Sequence, residues 1–138
     1  MALAPSMGED HSMILLSTLL SVAQAQPAKI THVGTATVLI EIGGLRLLTD
    51  PALDPAGTVH SFAMNTTSTI TVEPSYRAEE LLPIDAVLLG HDQHMDNLDL
   101  AGRALLQRAE VHRVITTRPA TRRLGRQLDI GDKLESLR

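Results

Sequence analysis

The sequence predicts a mixed α/β fold, an N-terminal β-hairpin followed by a β-α-β unit. Three observations predict it. "VLIEI" and "LRLL" flank Gly43-Gly44, and two glycines take the positive φ angles that a two-residue hairpin turn requires. "IDAVLLG" at 84–90 is a continuous apolar run, as in a strand buried on both faces. Between it and the strand-like "HRVITT" at 112–117, Leu98, Ala101, Leu105 and Ala109 recur at helical spacing. That order implies parallel strands joined by a right-handed crossover.

The elements follow in chain order. Residues 1–28 form an N-terminal segment. Within it, 13–25, "MILLSTLLSVAQA", has an apolar stretch and ends in an A-x-A pattern like a signal-peptide cleavage site. Upstream stand Glu9 and Asp10 and no Lys or Arg. Two readings stay open: an export signal, or an amphipathic N-terminal helix on a cytoplasmic protein. The run is too short for a membrane span, which takes about 20 residues. From Lys29, Val38, Ile40 and Ile42 alternate with Thr37, Leu39 and Glu41, the period of a strand. Asp50-Pro51 closes the hairpin. Residues 51–68 read as a loop, broken at most by a short turn of helix, and "STITVEP" as a short strand. Residues 77–82 read as one helical turn stopped by Pro83. The crossover helix is expected over 99–110, and a further helix from Pro119 to Leu124 with Gly125 as its stop. Residues 126–138 read as a polar tail, leaving 29–125 as the domain.

Composition narrows the function. Of 138 residues 43% are hydrophobic, with one Phe, one Tyr and no Trp, so the core is aliphatic. Few aromatics and a net charge of -4 argue against nucleic-acid binding, which uses stacking and a basic footprint. Without cysteine, any metal must be held by His and carboxylate. No glycine-rich nucleotide loop and no G-x-S-x-G elbow occurs.

The chemistry concentrates in "LLGHDQHMDNLD", 88–99. His91, Asp92, His94 and Asp96 follow the carboxyl end of the buried strand, the edge where α/β sheets bind ligands. At this spacing a tight loop can turn imidazole and carboxylate toward one point, and these are donors that divalent ions accept. The competing reading is structural: Asp96 or Asn97 caps the next helix and Asp92 stabilises the turn.

"ITHVGTATVLIEIGGLRLLTDP" followed by "LPIDAVLLGHDQHMDNLD" resembles the metallo-β-lactamase fold superfamily, and within it the UlaG-like metal-dependent hydrolases. The likeness runs over about 29–125. It implies the first half of a four-layer αββα fold and a centre of one or two zinc or manganese ions, zinc foremost. The superfamily motif is H-x-H-x-D-H. Aligned on His94 and Asp96, its first His falls on Asp92 and its last on Asn97; aligned on His91, one residue is inserted. The resemblance therefore implies His94 and Asp96 as ligands, with His91 or Asp92 as alternatives for one slot. Asp96 and Asp92 become the catalytic aspartates, and Asn97 weakens a second metal site. Thr35 stands where many relatives have His. Asp50, at a strand end, is implied as a support residue near the metal, or else as a turn former before proline.

The implied activity is hydrolysis of a small-molecule ester, amide or phosphodiester by metal-activated water. The superfamily's later ligands have no counterpart here, since no His follows His112. The alternative is therefore an inactive half-domain whose open sheet needs a second copy or a complementing chain. His32 and His60 are expected as surface or structural histidines, and His112 as a helix-end cation.

Overall fold

The computed structural model describes residues 27–137; the segment weighed as an export signal lies outside them. Among the described residues no helix is long and apolar enough to cross a membrane. The strands are β1 (Lys29–Gly34), β2 (Thr37–Ile42), β3 (Leu45–Thr49), β4 (Val59–Ser61), β5 (Thr67–Thr69), β6 (Ala86–Leu88), β7 (Val114–Thr116) and β8 (Leu134–Ser136). The helices are α1 (Ala78–Leu81), α2 (Leu100–Leu106) and α3 (Arg118–Gln127). One six-stranded sheet runs β1-β2-β3-β6-β7-β8, and β4 and β5 form a separate two-stranded ribbon. The β1-β2-β3 pairs are antiparallel; β3-β6, β6-β7 and β7-β8 are parallel.

The β2-β3 turn is the glycine pair expected from sequence. Gly43 and Gly44 have φ of 56° and 81°, and Ile42 pairs with Leu45 across them. That register places Leu39, Leu48, Val87 and Val114 in one row across four strands. The row is buried against apolar residues of all three helices, including Leu81, Leu105, Leu106 and Leu124. The neighbouring row, Ile30, Ile40, Leu47 and Ala86, turns to the opposite face. There Ile40 and Leu47 are half-buried and Ile30 is 69% exposed. Apolar residues on both faces of β2 and β3 thus leave one aliphatic sheet surface partly open.

The β-α-β order holds, with adjustments. α2 stops at Leu106, earlier than the expected 110, and Ala109 is exposed. α3 does not end at Gly125 but continues to Gln127. A Cβ at Gly125 would only touch Leu134 Cδ1 at 3.5 Å, so the glycine forces no break. "STITVEP" is a strand only over its first residues, and its partner β4 lies in the segment expected to be a loop. The polar tail contributes β8 on the sheet edge and the fully buried Ile130.

A close backbone approach fixes α2 against the loop after β3. A Cβ on Gly102 would stand 1.8 Å from the Pro51 carbonyl oxygen, so only glycine lets the helix seat there. Gly102→Ala should destabilise the fold by about 1–3 kcal/mol, measured by urea denaturation. An unchanged midpoint would show that the packing relaxes.

Candidate functional site

Three pins hold the 90–99 loop at the carboxyl ends of β3 and β6. At its start, Gly90 N–H donates to Asp50 Oδ1 at 2.7 Å, while Asp50 N–H donates to the Leu88 carbonyl. Asp50 has φ 32°, and its carbonyl accepts from the buried Thr37 hydroxyl. It acts as a strap between two strand ends. In the middle, Asp92 is 3% exposed. Its carboxylate accepts from Arg123 Nε at 3.0 Å and Nη2 at 2.5 Å, while its carbonyl accepts from Arg103. At the end, Leu98 is fully buried and Asp99 caps α2, accepting from Gly102 N–H at 2.8 Å.

The helix cap is therefore Asp99. The capping explanation for Asp96 and Asn97 does not hold; the Asn97 backbone N–H closes a turn onto the His94 carbonyl instead. His94 and Asp96 lie between the pins, exposed, and no hydrogen bond or ion pair engages their side chains among the described residues. The His91 and His94 rings meet edge to face, with centroids 4.9 Å apart. The structure thus brings His91 beside His94, leaves Asp96 on the same turn, and commits Asp92 to Arg123.

Arg123 sets the ionisation of Asp92. The guanidinium hydrogen bonds hold its carboxyl below the ordinary carboxylate value, outweighing the opposing effect of burial. Asp99 goes the other way. Burial raises it, against hydrogen bonds from backbone N–H groups that favour the charged form.

Beside the loop lies a cavity of about 580 Å³, walled by Met95 and Asp96, by the β4-β5 ribbon and by the turn after β1. It holds a residue pair that the sequence did not single out. His60, expected as a surface or structural histidine, is 8% exposed, and its Nε2 lies 2.8 Å from Asp54 Oδ2. The other Asp54 oxygen accepts from Ala101 N–H at 2.9 Å, and Asp54 N–H donates to Asp99 Oδ2 at 2.6 Å. The second "DP" in "TDPALDPAG", with a histidine six positions after its aspartate, was the available signal. His32 stays at the surface, with its ring against the Thr35 carbonyl at 3.2 Å. His112 lies 3.8 Å from Asp85.

No family model and no curated protein matches the sequence. Solved structures do match. An isothiocyanate hydrolase from Delia radicum gut bacteria superposes with a TM-score of 0.61 at 23% identity, over 79% of this chain and 41% of that one. A possible metal-dependent hydrolase from Veillonella parvula DSM 2008 gives 0.59 at 20% identity, over 81% and 42%. At these identities the likeness is one of fold. The chain spans less than half the length of either neighbour, and its architecture matches part of each neighbour's fold.

The Asp92–Arg123 pair gives a pH signature. Because the folded carboxyl is depressed, its contribution to stability is full above the unfolded value of about 3.9 and is lost as pH falls through the folded value. Arg123→Ala should melt below the wild type at neutral pH, and the gap should close below about pH 4. Thermal melts from acid to neutral pH check this, and a gap independent of pH would refute it.

Proposed function

We propose that this chain carries the substrate-facing part of a hydrolase site, of the metallo-β-lactamase superfamily and its UlaG-like branch. The observation that carries the reading is positional. Met95 and Asp96, just past the carboxyl end of β6, form one wall of the cavity that Asp54 and His60 face from another. Ligands of open α/β sheets bind at this edge. Both solved neighbours are hydrolases by description, and one is described as a possible metal-dependent hydrolase.

His94 and Asp96 are the donors proposed for a divalent metal, zinc foremost and manganese second, with His91 beside them. Asp92 is a poor candidate for the remaining slot, because withdrawing it would leave Arg123 without its carboxylate. A catalytic zinc takes three protein donors. Among the described residues no group of three His, Asp or Glu side chains could hold one ion. These residues alone do not fit a complete centre, which needs at least one more donor.

A second reading is favoured by the partly open aliphatic sheet face and by the incomplete donor set. In it the chain is an inactive half-domain that a second copy or another chain completes.

Calorimetric titration of the full chain with Zn²⁺ separates the two. The metal reading expects saturable binding, weaker than a three-donor centre gives, and lost in His94→Ala. No saturable binding to the wild type would sink it and leave the half-domain reading standing.

A further inference from the structure

The cavity itself states what it can hold. Its wall carries three carboxylates, Asp54, Glu73 and Asp96, and no Lys or Arg. An anion entering it would meet like charge with no Lys or Arg to pair with, a cost that grows as water is displaced. Much of the remaining wall is apolar, with Val33, Phe62, Ile70 and Met95 among its residues. A pocket of this size and character fits a drug-sized molecule.

One polar group in the wall is built for direction. Asp54 is fixed by the Ala101 N–H and by its own N–H to Asp99, and its free oxygen faces His60 Nε2. A carboxylate oxygen only accepts, so a His60 ring with a single proton carries it on Nε2 and leaves a lone pair on Nδ1. Nδ1 has no partner among the described residues. The His60 side chain, 9% exposed, opens onto the cavity that it lines.

We infer that this cavity is a binding subsite for a non-anionic molecule with an apolar body and an N–H or O–H donor, which His60 Nδ1 accepts. The inference rests on the hydrolase reading only for naming that molecule a substrate; the binding chemistry follows from the wall. Asp54 is the positioning residue, since it reaches the ligand only through the ring it orients. Without a bound metal, the carboxylates of this subsite disfavour anions such as phosphate esters.

Benzamide and benzoate test the claim, having the same shape, one neutral with an N–H donor and one anionic. Phe62 is the only phenylalanine in the chain, so its ring signals report on the cavity without assignment ambiguity. Titrated into the full chain, benzamide should shift the Phe62 ring signals saturably. Benzoate should bind at least about tenfold more weakly, and His60→Gln should weaken benzamide by about three- to tenfold, the worth of one hydrogen bond. Equal binding of benzoate, or no saturable shift at Phe62, overturns the subsite. Full benzamide affinity in folded His60→Gln overturns the role of His60. Should that variant fail to fold, the amide–acid comparison on the wild type still decides the subsite. No readout uses turnover, so a chain that binds benzamide yet takes up no Zn²⁺ would lose the hydrolase reading and leave this one supported.

Discussion

Asp54 and Asp99 are buried side by side at the amino end of α2, and the arrangement of the site depends on them. Asp99 caps the helix through Gly102 and also accepts from Asp54 N–H. Asp54 accepts from Ala101 N–H and from His60. Two carboxylates so placed resist burial and repel each other, and the raised pKa of Asp99 reflects both. Backbone N–H groups at a helix start offset it, because they are otherwise unpaired and carry partial positive charge. The network joins the loop after β3, the β4-β5 ribbon, the end of the 90–99 loop and α2.

The same economy shapes the 90–99 loop. Asp50, Arg123 with Arg103, and the Leu98–Asp99 anchor fix it at its start, middle and end. Each fixing contact engages a buried side chain or a backbone atom, and what remains between them is short and exposed. His94 and Asp96 are therefore displayed on a rigid frame, which is how a scaffold makes a binding loop reliable. Arg123 reaches Asp92 from a helix that begins only after the next strand, so the frame closes across the β-α-β unit.

Much of the fold was legible because it is written locally. The Gly43-Gly44 turn, the apolar β6, the β-α-β order and the Asp50-Pro51 stop each depend on a few adjacent residues. The parts that were not legible depend on distance. Asp92 and Arg123 are 31 positions apart, and no spacing rule ties them. The partnership of Asp54 with His60 exists only because the intervening loop returns on itself at Gly57, with φ 88°. β8 is short and polar, and its pairing comes from the exposed edge of β7 rather than from any alternation of its own. Asp96 and Asn97 looked like caps because they are cap-forming residue types near a helix. The helix starts later, and Asp99, whose carboxylate the loop needs elsewhere too, takes the position.

The amino end of α2 has a consequence for chemistry at this edge of the sheet. In α/β folds with a glycine-rich loop, such a helix terminus commonly holds a phosphoryl oxygen. Here the terminus is already neutralised from within, by two acids that belong to the chain, so the protein acts as its own counter-ion at the spot where a nucleotide or sugar phosphate would dock. Evolution of this surface toward phosphorylated metabolites would first have to dismantle the joint that keeps the domain together.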